Sequence, residues 1–192
     1  GCTTSACASL CANTYSVLVT DSKGCTATAS VTVSPPSAII PNLSSTAALC
    51  FGNSNGTVTS NTSGGVPAYT YAWSSGCTTS ACSGLAAGNY TLQITDANGC
   101  TVTSTVAVTQ PALFTTSIAS AGPNPLNCNG DCNGTVLANI SGGVATYSYA
   151  WSNGGTTASL NGLCAGGYTL TATDGNGCTA TTNVTFTAPS TL

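Results

Sequence analysis

The sequence predicts an all-β protein built from tandem small immunoglobulin-like β-sandwiches stapled by disulfides. Three observations carry that expectation: a long internal repeat, apolar residues that alternate with period two, and twelve cysteines in a chain with no histidine. Repeats come first, because an overlooked period misassigns the whole fold. Residues 56–111 align without a gap on residues 134–189 at an offset of 78, from Gly56-Thr-Val on Gly134-Thr-Val to Asn98-Gly-Cys100 on Asn176-Gly-Cys178. Residues 1–36 repeat the second half of the same unit at an offset of 75, with Cys2-Thr-Thr-Ser-Ala-Cys7 recurring as Cys77-Thr-Thr-Ser-Ala-Cys82. The expected organisation is half a unit at 1–36, full units at 37–111 and 112–189, and the start of another unit or a tail at 190–192, with Pro36, Pro111 and Pro189 at the limits.

Within the last unit Val136, Ala138 and Ile140 share one strand face, and Tyr147, Tyr149 and Trp151 share the next. Tyr168, Leu170 and Ala172 form a third, and Cys178, Ala180, Thr182, Val184 and Phe186 a fourth. Period two is the mark of strands buried on one side. An additional strand is expected over residues 113–118. Ser-Gly-Gly-Val links the first two strands, and the Asn-Gly pair of Asp174-Gly-Asn-Gly-Cys178 predicts a type I′ hairpin turn. Five to seven such strands in under 80 residues predict a sandwich, with a small barrel as the rival. The aromatic sets Tyr69, Tyr71, Trp73 and Tyr147, Tyr149, Trp151 stand at strand spacing and are expected in the core, although exposed they would make a sugar-stacking platform.

Composition narrows function. Charged residues make up 3% of the chain, one Lys against four Asp, where an average domain has roughly 25%. Lys23 alone cannot make a basic stripe for phosphates or anionic lipids, so nucleic acid is not an expected partner. No apolar run has the roughly 20 residues of a spanning helix, so membrane insertion is not expected either. Without histidine the usual general bases for a Ser, Thr or Cys nucleophile are missing, and the expectation is no enzyme and no cofactor. Asp21, Asp96 and Asp174 recur one per unit, which suits a turn-capping side chain better than a paired-carboxylate site. Asp131 is a weak calcium candidate, a single carboxylate in a carbonyl-rich loop. Asn-x-Ser/Thr sequons stand at Asn42, Asn55, Asn61, Asn89, Asn133, Asn139 and Asn183.

Many cysteines without zinc-ribbon spacing imply disulfides and an oxidising, extracellular location, secreted or attached to a cell surface. Comparing the full units gives a wiring. The last unit has Cys132 and Cys164 where the middle unit has Ser54 and Ala86; the middle unit has Cys77 and Cys82 where the last has Gly155 and Leu160. Cysteines that disappear together are expected to be bonded together, giving Cys132 with Cys164 and Cys77 with Cys82. Cys2 and Cys7, in the repeated string, are likewise expected in disulfides. The shared positions then pair as Cys50 with Cys100 and Cys128 with Cys178; a local rival joins Cys128 to Cys132 and Cys164 to Cys178. Cys11 and Cys25 lack partners within the half unit, which suggests that the array continues beyond residue 1 or that another molecule supplies the missing strands. Thr191 and Leu192 suggest the same beyond the last unit.

The string Cys128-Asn-Gly-x-Cys-Asn-Gly-Thr, followed by Ser-Gly-Gly, Tyr-x-Tyr-x-Trp-Ser-Asn-Gly, Gly-Leu-Cys-Ala-Gly-x-Tyr and Thr-Asp-x-Asn-Gly-Cys178, resembles the SprB-type repeat of Bacteroidetes. Those repeats occur in very large cell-surface adhesins, some linked to gliding motility. The resemblance implies secretion, tandem arrays and attachment to surfaces, and it brings no catalytic residues. Two functions follow as expectations: a spacer or fibre-forming array whose partners are further units or identical subunits, or an adhesin module that binds glycans or cell surfaces.

Overall fold

The computed structural model describes residues 5, 7, 12–120 and 122–190. Among them every regular element is a strand. β1 (Asn13–Thr20) and β2 (Thr26–Val33) form an antiparallel hairpin. Six strands follow: β3 (Leu43–Thr46), β4 (Gly56–Ser60), β5 (Thr70–Trp73), β6 (Ala81–Leu85), β7 (Gly88–Thr95) and β8 (Thr101–Val108). The next six repeat them: β9 (Thr115–Ser120), β10 (Gly134–Ser141), β11 (Ser148–Trp151), β12 (Ser159–Leu163), β13 (Gly166–Thr173) and β14 (Thr179–Phe186).

Each set of six makes two three-stranded sheets, β3-β4-β6 facing β5-β7-β8 and β12-β10-β9 facing β11-β13-β14. This is an immunoglobulin-like sandwich that lacks one strand of the seven-stranded constant-type arrangement, the one between its third and fifth strands. The rival barrel is excluded because the two sheets of a unit remain separate ladders. In the first full unit the core joins Val58, Cys82 and Leu85 of one sheet to Trp73, Leu92, Ile94 and Val108 of the other. In the second, Val136, Ala138 and Leu163 meet Trp151, Leu170 and Phe186, with Leu126 filling in from a loop. Outward faces carry Ser and Thr, whose hydroxyls pair across strands: Ser44 with Thr59 at 2.6 Å, Thr46 with Thr57 at 2.8 Å, Thr91 with Thr105 at 3.2 Å. Such cross-strand pairs take the place that ion pairs occupy in charged sheets.

Three details differ from the expectations. The β7–β8 and β13–β14 turns are not type I′, since Asn98 and Asn176 keep negative φ and only Gly99 (+82°) and Gly177 (+82°) enter the left-handed region. Gly99 N–H donates to Asp96 O and Asp96 N–H to Cys100 O, each at 3.0 Å, so the chain makes a type I turn closed by a left-handed glycine. The aspartate selects this form: Asp96 Oδ1 accepts from the amides of Asn98 and Cys100, both at 2.9 Å. Strands β6 and β12 break the alternating pattern, because Gly84 (φ +73°) and Gly162 (φ +71°) interrupt them and their ladders shift register. The opening strand of the last unit runs over Thr115–Ser120 rather than 113–118.

The missing strand sets the polarity of everything after it. In register, Thr46, Gly56, Leu85, Gly88 and Val108 lie at one end of the first full unit, and Thr70, Thr95 and Thr101 at the other. β5 and β6 therefore both run toward the Gly56 end, and the 47–55 loop and the 96–100 turn sit at opposite ends. Gly56 belongs to the crowded end: a Cβ there would meet Val108 Cγ1 at 2.4 Å and Leu85 O at 3.0 Å, so no other residue fits.

The β1–β2 hairpin repeats the β7–β8 turn, with Asp21 Oδ1 accepting from the amides of Lys23 and Cys25 at 2.8 Å. Its Val17, Leu18, Val19 and Val31 are all exposed. Residues 191 and 192, where a further strand is expected, lie outside the described residues.

Candidate functional site

The site with the most specific chemistry is the junction between the two full units. The 47–55 loop leads there from the crowded end of the first unit. Ala48 N–H holds it to Thr109 O at 2.8 Å, Gly52 N–H donates to the Gln110 side chain at 2.8 Å, and a turn bonds Asn53 N–H to Cys50 O at 3.1 Å. The 174–178 turn of the second unit meets this loop. Cys50 and Cys178 are disulfide-bonded with Cα atoms 5.8 Å apart, inside the ordinary range for a bridge. Asn176 Nδ2 donates to Leu49 O at 2.8 Å beside it. Phe51, Leu113 and Phe114 line a cleft of about 350 Å³ around the bond. The chain thus joins the top of one unit to the bottom of the next, and the bond lies between units.

That replaces the expected pairs Cys50 with Cys100 and Cys128 with Cys178, and the local rival as well. Cys25, Cys100 and Cys128 are exposed free thiols. The reason is geometric. Cys50 lies beside the end of β8 and Cys100 immediately before its start, so eight strand residues at about 3.3 Å each hold them about 25 Å apart. A disulfide needs Cα atoms within about 7 Å. Cys128 and Cys178 are kept apart in the same way, since Leu126 N–H donates to Thr187 O at the far end of β14. The remaining two pairs coincide with those given by the comparison between units: Cys77 is bonded to Cys82, and Cys132 to Cys164. Cys7 is disulfide-bonded; Cys2 and Cys11 lie outside the described residues.

Each full unit has one buried carboxylate, and it organises the bottom end. Asp96 Oδ2 accepts from Val66 N–H at 3.0 Å, in addition to the two bonds at Oδ1, and so ties the 96–100 turn to the Ser-Gly-Gly-Val loop. Asp174 repeats this with Val144, Asn176 and Cys178, each at 2.9 Å. The Val66 amide is the main cause holding the Asp96 carboxyl below the usual value of 3.8, ahead of the opposing effect of burial. At Asp174 burial is the largest single influence and pushes upward, but the amides of Val144, Cys178, Asn176 and Gly177 together outweigh it and the net direction is down. At Asp21 the Cys25 and Lys23 amides lower it. A depressed folded-state value favours the folded form only while the group is ionised. The contribution is present above the unfolded value and is lost as pH falls through the folded one. With no histidine in the chain, urea midpoints are expected to stay level between about pH 5 and 7 and to fall below about pH 4. A midpoint already falling at pH 6 would contradict this role.

Trp73 and Trp151 are each 4% exposed, and their indole Nε1 atoms donate to Thr79 O and Thr157 O at 3.0 Å. Tyr69, Tyr71 and Tyr149 are half-buried. Tyr147 departs from the core expectation at 38% exposed, because its ring stacks on Phe114 at 5.8 Å near the bottom of the unit. Tyr90 and Tyr168, whose hydroxyl role the strand pattern does not show, donate back to Ala86 O and Cys164 O, four residues upstream. They occupy the place of the tyrosine corner of immunoglobulin folds. Asp131 Oδ2 accepts from Cys128 N–H at 3.0 Å, and the described residues contain no group of three or more His, Cys, Asp or Glu that could hold a metal ion.

Among solved structures, a C-terminal 282-residue fragment of intimin in complex with the translocated intimin receptor's intimin-binding domain is 15% identical over 80% of this chain, with a TM-score of 0.41. The match spans 64% of that fragment. DIP-gamma IG1+IG2 is 11% identical over 82% of this chain and 99% of its own, TM-score 0.40. The amphioxus IgVJ-C2 molecule is 16% identical over 64% of this chain and 90% of its own, TM-score 0.33. No curated protein sequence matches the chain. The family model for the SprB repeat matches residues 42–78 and 120–156, which run from the opening strand region to just past the buried tryptophan. The SprB-repeat model thus matches one stretch in each immunoglobulin-like unit, in agreement with the resemblance drawn from the sequence motifs.

Proposed function

We propose that the chain is a non-enzymatic structural segment of an extracellular bacterial surface filament or adhesin, an array of units at 37–111 and 112–189 that acts as a spacer. The SprB repeats and the sandwich fold support an extracellular adhesin-type module. One observation carries the finer reading: the Cys50–Cys178 bond ties consecutive units end to end. A flexible linker would let two sandwiches swivel, whereas a disulfide and the Asn176–Leu49 bond beside it fix their axis. Near-absence of charge suits close packing of such units, since Thr and Ser surfaces meet without ionic repulsion.

The glycan-binding reading asks for an exposed aromatic platform, and Trp73 and Trp151 are enclosed in the two cores. Negative-stain images of the native surface material test the proposal. Threads with a regular beaded repeat are expected, unchanged between low and high salt. Isolated compact particles would remove the spacer reading.

A further inference from the structure

We propose that Cys100 and Cys128 are complementary halves of a second junction, in which the Cys128 loop of one copy of the chain bonds to the Cys100 turn of another. This rests on the reading that units stack end to end. At the occupied junction the top-end loop of one unit carries Cys50 and the bottom-end turn of the next carries Cys178. Each half has a counterpart elsewhere in the chain.

Cys128 is the counterpart of Cys50. Leu126, like Ala48, is buried and bonded through its N–H to the end of the last strand, and Asp131 N–H closes the turn on Cys128 O as Asn53 N–H does on Cys50 O. Asn129 Nδ2 adds a bond to Pro189 O at 3.1 Å. The loop is therefore held in the same form, with the Cys128 thiol exposed at the top of its unit.

Cys100 is the counterpart of Cys178, and the cleft around it supplies an independent observation. Ile39, Cys100 and Thr101 line a cleft of about 270 Å³. Phe114, Cys178 and Thr179 hold the same places in the occupied junction, where Cys50 and Phe51 form the opposite wall. Asn98 stands where Asn176 reaches Leu49 O. The bottom of the first full unit thus has the wall, the asparagine and the thiol of a junction, and the top of the second has the matching cysteine turn, with Asn129 in the place of Phe51. Cys25 has the turn but lacks a counterpart of Ile39 within the half unit, so Cys100 is the better-formed acceptor.

Bond formation needs an oxidant, here an external disulfide. One protein thiolate attacks it and releases the first external thiol, the second attacks the protein sulfur of the resulting mixed disulfide and releases the other, and the two external thiols carry away the two protons and two electrons. The test uses the full chain as C2S/C7S/C11S/C25S, so that Cys100 and Cys128 are the only cysteines outside the Cys50–Cys178, Cys77–Cys82 and Cys132–Cys164 bonds, oxidised with glutathione disulfide at rising protein concentration. Non-reducing gels should show a ladder of multimers, and peptide mapping should show Cys100 joined to Cys128. Adding C100S or C128S should each leave monomers, and an equimolar mixture of the two should stop at dimers. Monomers throughout, with Cys50–Cys178 intact, would overturn the proposal, as would dimers of either single variant, because pairing would then be like with like. If the oxidised chain gives no ladder while the native material shows threads, the junction is wrong and the spacer reading stands. If the bond forms and the native material shows no threads, the spacer reading is wrong and the junction stands.

Discussion

Trp151→Ala is expected to destabilise the β9–β14 unit by about 3–5 kcal/mol, the cost of emptying a large aromatic site in a core. For a sandwich of under 80 residues that is most of the stability available. Trp151 reaches both sheets, packing with Val136 and Leu163 on one side and Leu170 and Phe186 on the other, so the cavity would open at the centre of the sandwich. Its indole N–H also fixes the 152–158 connection through Thr157 O, and removing it frees that crossing. The chain provides its own control, because it has two tryptophans, one per unit. In the variant, Trp73 fluorescence reports the β3–β8 unit, whose urea midpoint should not move, while far-ultraviolet circular dichroism should split into an early and a late transition. Coincident transitions at the original midpoint would show that Trp151 does not hold its unit together.

The double variant C132S/C164S is expected to cost the same unit about 3–4 kcal/mol. The bond closes a loop of 32 residues, and constraining such a loop in the unfolded chain gives about this much on the loop-entropy model. C77S/C82S should cost the other unit less, about 2 kcal/mol, because that bond spans a separation of 5. C50S/C178S should behave differently from both. Its bond closes a separation of 128 that runs through both sandwiches, so on the same model both midpoints should fall together and the mutual orientation of the units should loosen. Thermal melts of the three double variants, followed at both tryptophans, separate these cases.

Much of the architecture was legible because it rests on local rules. The offset of 78 carries β4–β8 onto β10–β14, period two located the long strands, and the i, i+2 spacing at Tyr71 and Trp73 pointed to a core that the structure centres on the tryptophan. The short strand Ala81–Leu85 was not legible, since Gly84 at positive φ and a register shift break its alternation. That one omission had a long reach. With β6 unseen, nothing in the sequence shows that β5 and β6 run the same way, and hence that Cys50 and Cys100 lie at opposite ends of a unit. Pairing by elimination succeeded where two cysteines vanish together, at Cys132 and Cys164. It failed where it assumed that partners share a unit. The hairpin turn was misassigned for a related reason: Asn-Gly alone favours type I′, but Asp96 and Asp174 are already committed to the amides that define the other turn.

The central claim is that covalent wiring runs from one unit to the next, and disulfide mapping of the oxidised protein tests it most directly. Alkylation of free thiols followed by proteolysis without reduction should yield Cys50 linked to Cys178, with Cys77–Cys82 and Cys132–Cys164 as bonds within units. Recovery of Cys50 linked to Cys100, or of Cys128 linked to Cys178, would place every bond inside a unit and contradict the account.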